Sequence, residues 1–180
     1  MKLEQTADGS YTLYVPELDE HYHSVKGALT ESQHIFIEMG LKHSPVSEPH
    51  ILEIGLGTGL NAFLTLLSAE ETRRKVHYTG IERYPLAEET LKQLDYPRLI
   101  GKQHEEDYYA IHQAPWDTET EVSPWFTLHK IEDDFTRLFN PVEGSRPAVP
   151  LYDIVYFDAF APDKPVSYTH LRAHETVLDL

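Results

Sequence analysis

The sequence predicts an α/β domain, a mostly parallel sheet flanked by helices, preceded by a short antiparallel β-ribbon. Three observations predict it. From His50 onward, short apolar runs alternate with helical stretches at the spacing of β-α-β units. A glycine-rich segment lies where the first of those runs turns into a helix. The length of 180 residues, with 41% hydrophobic and 25% charged side chains, suits one domain with a real core and is short for two.

Taken in order, Thr12-Leu13-Tyr14-Val15 alternates after the turn residues Asp8-Gly9-Ser10. His21-Tyr22-His23-Ser24 can pair with it across Pro16–Glu20, which makes the ribbon. Ala28 to Leu41 mixes Ile35, Ile37, Met39 and Leu41 with Glu31, Gln33 and Glu38 and reads as a helix; Pro45 and Pro49 then break the chain. His50–Ile54 is a buried strand and Leu60–Glu70 the helix that follows it. Val76–Ile81 and Leu86–Leu94 repeat the pair. Glu105–Gln113 reads as a helix, Phe126–Ile131 as a third strand, Asn140–Pro150 as a Pro/Gly loop and Tyr152–Phe157 as a fourth strand.

Composition narrows the function. No stretch approaches the roughly 18 apolar residues of a membrane span. The N-terminus lacks an apolar signal core and the chain has no cysteine, so a disulfide framework and thiolate zinc are excluded and the cytoplasm is the expected compartment. A formal charge of −15 opposes broad neutralisation of phosphates and suits a cationic or small-molecule ligand. Glu17, Asp19, Glu20, His21 and His23 cluster in sequence, yet no third and fourth ligand follow at metal-binding spacing. Alternation along a ribbon explains the two histidines as polar residues on one face, and no metal is expected.

The motif that carries chemistry is Glu53-Ile54-Gly55-Leu56-Gly57-Thr58-Gly59-Leu60-Asn61. Glycines let the backbone bend tightly and approach a ligand, and the helix start presents unpaired N–H donors. A dinucleotide site would want a third glycine where Leu60 stands. The acid followed by G-x-G-x-G instead resembles the S-adenosylmethionine site of Rossmann-type methyltransferases, which makes Glu53, Gly55, Gly57, Gly59 and Asn61 candidate cofactor-binding residues. A glycine turn that only packs a helix on a sheet is the bland alternative.

Glu82 ends the second strand, where a carboxylate can accept both hydroxyls of an adenosine ribose; alone it would read as a solvated strand end. Asp134, after the third strand, is a candidate adenine or ribose contact or an acidic turn beside Glu132 and Asp133. Asp158 ends the fourth strand, where parallel sheets bind their ligands, and reads either as a catalytic group facing the acceptor or as a turn acid. Phe160 and Pro162 beside it could wall a flat acceptor.

The segments DGSYTLYVPELDEHYHS, GALTESQHIFIEMGL, ILEIGLGTGLNAFLTL, YTGIERYPL and YDIVYFDAFAPDK together resemble the MnmC/MnmD-type tRNA methyltransferases over most of residues 8–164. The resemblance implies methyl transfer from S-adenosylmethionine to the amine of 5-aminomethyl-(2-thio)uridine at the tRNA wobble position, with Asp158 orienting and deprotonating that amine. Two features depart from the pattern: Asp133 stands where relatives tend to have glycine, and the negative charge is unfavourable for tRNA. Aminopropyl transfer to a polyamine shares the fold and the amine nucleophile, and suits the charge better. A non-catalytic cofactor-binding or interaction fragment is the alternative from another class.

The resemblance breaks just after Asp163-Lys164. Val166–Thr176, VSYTHLRAHET, looks like a translated sequencing-library adaptor, with Val177 and Leu178 in its variable part and Asp179 and Leu180 resuming it. The expected organisation is therefore ribbon and helix over 1–49, Rossmann core over 50–164, and a non-native tail over 165–180, with the C-terminal strands of such methyltransferases missing.

Overall fold

The computed structural model describes residues 1–139 and 152–159. The expected loop over 140–150, the wall at Phe160 and Pro162, the boundary at 164 and the tail lie outside the described residues.

The N-terminal ribbon has three strands, β1 (Lys2–Gln5), β2 (Tyr11–Val15) and β3 (Glu20–His21), antiparallel in that order. β1 was not legible because Lys2-Leu3-Glu4-Gln5 is almost wholly exposed and carries no apolar period. Asp8 ties the ribbon to helix α1 (Ala28–Ser32): its carboxylate accepts the Ser10 N–H at 3.0 Å and the Thr30 N–H at 2.9 Å. The helix then widens over Gln33–Leu41 to π geometry, with the Lys42 N–H bonded back to the Ile37 carbonyl. A helix was expected here, but not the change of pitch, which fits a contact no local pattern encodes: the Phe36 carbonyl accepts the Tyr156 hydroxyl at 2.9 Å.

The main sheet follows the predicted alternation. Its strands are β4 (His50–Ile54), β5 (Val76–Glu82), β6 (Glu119–Ser123), β7 (Phe126–Glu132) and β8 (Ile154–Phe157), in the order β6-β7-β5-β4-β8. The pairs β4/β5, β4/β8 and β5/β7 are parallel, and β6 adds an antiparallel edge. β6 escapes sequence reading because Glu-Thr-Glu-Val-Ser offers an edge strand little to bury.

Strand alternation divides two apolar layers. Ile51, Val76, Tyr78, Leu128, Ile154 and Tyr156 face the larger core, which includes Leu60, Phe63 and Leu66 of α2 (Leu60–Thr72) and Tyr108 and Ile111 of α5 (Glu105–Gln113). Leu52, Ile54 and Ile81 face a smaller layer with Phe135 and Phe157. Between β5 and α5 run α3 (Glu88–Leu94) and α4 (Tyr96–Ile100), and α6 (Thr136–Phe139) follows β7. Among the described residues no helix is long and apolar enough to cross a membrane.

The strand order places the first and fourth parallel strands, β4 and β8, side by side, with later strands running away on the other flank. The chain runs from β4 to β5 and β7 on one flank and then crosses back to β8 on the other, so the order reverses beside β4 and a crevice opens beyond the carboxyl ends of these two strands.

Candidate functional site at the sheet switch point

A cleft of about 240 Å³ occupies that crevice. Leu56, Gly57 and Thr58 from the glycine loop, Glu82 and Arg83 from the end of β5, Asp133 and Asp134 after β7, Asp158 after β8, and Tyr22 and His23 from the ribbon all line it. The topology thus gathers the acids Glu82, Asp134 and Asp158 around one space.

The loop glycines answer to particular neighbours. At Gly55 φ is +89° and an added Cβ would lie 3.0 Å from the Asp158 carbonyl, so only glycine lets the ends of β4 and β8 approach this closely. At Gly57 φ is +50° and a Cβ would press on the Tyr22 ring at 3.1 Å. Gly59 begins α2 against the His112 ring and, unlike Gly55 and Gly57, does not line the cleft.

Glu82 grips the loop: one carboxylate oxygen accepts the Gly57 N–H at 2.9 Å, the other the Tyr84 N–H at 2.8 Å. A carboxylate has about four lone-pair positions, so acceptor capacity is left toward the cleft. Burial, and then the field of Glu82, push the Tyr22 phenol up to about 12. Asp134 is anchored on two sides, taking Arg83 Nη1 at 2.8 Å on one oxygen and the Thr136 N–H and hydroxyl at 3.0 and 2.7 Å on the other. It therefore caps the segment entering α6 while lining the cleft.

Glu53 and Asn61, expected from sequence to touch the cofactor, are buried and lie outside the residues that line the cleft. Strand alternation turns Glu53 toward α2, whose first turn carries Asn61. The Asn61 amide donates to Glu53 Oε1 at 2.9 Å and to Asp158 Oδ2 at 2.8 Å, so one side chain bridges two carboxyl groups. Burial first, and the neighbouring Asp158 second, hold the Glu53 carboxyl well above the usual carboxylate range. Glu53 Oε2 and the Tyr78 hydroxyl beside it interact without reaching full hydrogen-bond geometry.

Asp158 keeps a quarter of its side-chain surface exposed. Burial pushes its carboxyl up to about 7 against the opposing hydrogen bond from Asn61, with Glu31 adding to the rise. A carboxyl that changes charge near neutrality, at the mouth of the cleft, can accept a proton from a bound nucleophile.

Sequence reasoning missed His23 and Thr58. His21 and His23 do not share a face: His21 bonds Glu4 at 2.9 Å on the ribbon, whereas His23 turns inward, its Nε2 2.8 Å from Thr58 Oγ1. The strand ends at His21, so alternation does not continue to His23. Their only sequence signal was the adjacency of Thr58 to the glycines. Buried Lys130, under the Trp116 ring and donating to the His112 carbonyl at 2.7 Å, was likewise unsignalled; burial lowers its ammonium to about 8. Among the described residues no group of three or more His, Cys, Asp or Glu is placed to hold a metal ion.

No family model matches the chain. It is 28% identical over 163 residues to the tRNA 5-methylaminomethyl-2-thiouridine biosynthesis bifunctional protein MnmC of Cupriavidus metallidurans, covering 85% of this chain and 24% of that protein. It is 30% identical over 162 residues to the protein of the same name from Magnetococcus marinus, covering 85% and 23%. The chain spans about a quarter of the length of the curated relatives it matches. The crystal structure of MnmC2 from Aquifex aeolicus superposes with a TM-score of 0.62 at 25% identity, over 89% of this chain and 50% of that one. In sequence and in fold alike, over most of its length, the chain resembles the MnmC/MnmD-type proteins.

Proposed function

We propose that the chain carries the site of an S-adenosylmethionine-dependent methyltransferase acting on the amine of 5-aminomethyl-(2-thio)uridine at the wobble position of tRNA, in the cytoplasm and without a metal. The observation that carries this reading is Asp158, a cleft-facing carboxyl with its charge change raised toward neutrality, opposite a glycine loop and Glu82 at the sheet switch point. The names of the relatives support the substrate class.

The residues present fit the cofactor. Along Gly55–Gly57 the loop itself offers the cleft no side chain larger than Leu56, and Glu82 retains acceptor positions for two ribose hydroxyls. Asp134 borders the far end, and Gly59 starts the helix whose N-terminus backs the loop. The cofactor would supply an electrophilic methyl group on a sulfonium. The chain's part is to hold the acceptor amine in line and to take its proton at Asp158. Glu53 and Asn61 act behind that carboxyl, Asn61 fixing one oxygen while burial disfavours a second negative charge on Glu53 beside it.

The test is transfer of labelled methyl from S-adenosylmethionine to undermodified tRNA. A parallel assay offers putrescine with decarboxylated S-adenosylmethionine. Methyl incorporation at the wobble uridine alone is expected. Aminopropyl transfer to putrescine, or calorimetry showing tight NAD binding and none of the methyl donor, overturns the reading.

A further inference from the structure

The reading of Asp158 as proton acceptor leaves open what holds that carboxyl ready, and the ribbon supplies an answer that rests on that reading. His23 is clamped to β2 by its backbone: its N–H donates to Thr12 Oγ1 at 2.9 Å, and the Thr12 hydroxyl donates to its carbonyl at 3.2 Å. Its side chain is 7% exposed, with Nε2 2.8 Å from Thr58 Oγ1 and Nδ1 3.8 Å from Asp158 Oδ2.

Proton accounting selects the tautomer. Thr58 is buried, and among the described residues its hydroxyl has one partner at full hydrogen-bond geometry, His23 Nε2, with the Tyr96 oxygen as a weaker second contact. Were Nε2 the donor, the Thr58 O–H would be left with the weaker contact to Tyr96 alone, a poorer exchange for a buried donor than the 2.8 Å bond to the ring nitrogen. The hydroxyl therefore donates to Nε2, and the imidazole proton sits on Nδ1, facing Asp158. At 3.8 Å this N–H is not yet a hydrogen bond; a closure of less than about 1 Å makes it one.

The other titratable groups around Asp158 do not replace it. Glu53 on β4 and Glu31 on α1 are acids, and Tyr78 on β5 and Tyr96 on α4 are phenols; none of the four brings a positive charge. Burial holds the His23 imidazole down to about 4, so at neutral pH it acts as a fixed dipole rather than a cation.

We propose that His23, locked by Thr58 as the Nδ1–H tautomer, is a positioning residue for Asp158. Together with Asn61 it holds Oδ2 and favours the carboxylate form. Oδ1, which takes no hydrogen bond from a described residue, is then the atom that accepts the amine proton.

Long-range ¹H–¹⁵N spectra of the unaltered chain at neutral pH test the tautomer without any variant. Protonation at Nδ1 is expected, and protonation at Nε2 overturns the proposal. Carboxyl ¹³C titration of Asp158 in His23→Phe should show the midpoint raised by about half a pH unit or more, since a donor to the charged form is gone. His23→Asn, which keeps an N–H near the Nδ1 position, should restore it. The acid limb of single-turnover methyl transfer should move with the midpoint, whereas a merely structural loss would lower the rate equally at all pH. An unmoved midpoint in folded His23→Phe overturns the proposal. If tautomer and midpoint behave as expected while no tRNA is methylated, the pairing stands and the functional reading fails.

Discussion

At the scale of single residues, Asp158 sets function against stability. Its folded value of about 7 lies above the ordinary 3.8, so the fold favours the protonated carboxyl. The resulting stabilisation is fully present below 3.8 and is lost as pH rises through about 7, where the ionised form must sit half-buried. Asp158→Asn should therefore raise stability at mildly alkaline pH by about 1–2 kcal/mol, a discounted share of the shift because the group is partly exposed, and by little in acid. Denaturant melts of the two proteins across pH check this. The same change should slow single-turnover methyl transfer by about 10²-fold or more while leaving cofactor affinity nearly intact. Glu82 makes the complementary prediction: Glu82→Ala should weaken S-adenosylmethionine binding by about 1–3 kcal/mol, measured by calorimetry. Part of that loss will come through the loop, because Glu82 also holds the Gly57 N–H.

At the scale of elements, the joint between ribbon and first helix depends on Asp8. Burial alone would raise its carboxyl, but hydrogen bonds from the Ser10 side chain, the Thr30 backbone and the Thr6 side chain outweigh it and hold the group well below 3.8. A depressed value contributes stability above 3.8 that disappears as pH falls toward the folded value. Asp8→Ala should cost about 1–2 kcal/mol near neutrality, as for a lost helix cap, and the difference should shrink in acid melts. His23 is held by Thr12, close to the Asp8 turn on the same ribbon, so Asp8→Ala should also disturb the site, unlike a surface change. The elements read correctly from sequence include β2, β4, β5, β7, β8, α2, α3 and α5, each of which turns apolar residues toward a core. β1 and β6 pair at edges with polar residues, and their pairing comes from a neighbour strand rather than from their own pattern.

At the scale of the whole molecule, a formal charge of −15 works against compaction through self-repulsion, and the cleft itself is bordered by Glu82, Asp133, Asp134 and Asp158. Thermal melts at rising ionic strength should show a higher Tm, by roughly 2–4 °C for each 1 kcal/mol of repulsion screened. A Tm that falls with salt would mean that surface ion pairs such as Arg83–Asp134 outweigh the repulsion.

The sequence by itself determined the α/β class, the glycine turn, and which acids stand at the ends of successive strands, because these follow from local periodicity and from where a chain can bend. Only the tertiary structure decided that β8 lies beside β4, which brings Asp158 against Gly55 and within reach of Asn61. It alone buried Glu53 and Asn61 and joined them to Asp158 through the Asn61 amide, and it set His23 beside that carboxyl rather than on the ribbon surface. The physical reason is that burial and hydrogen-bond partnership belong to pairs of residues far apart in the chain, and a one-dimensional pattern records neither.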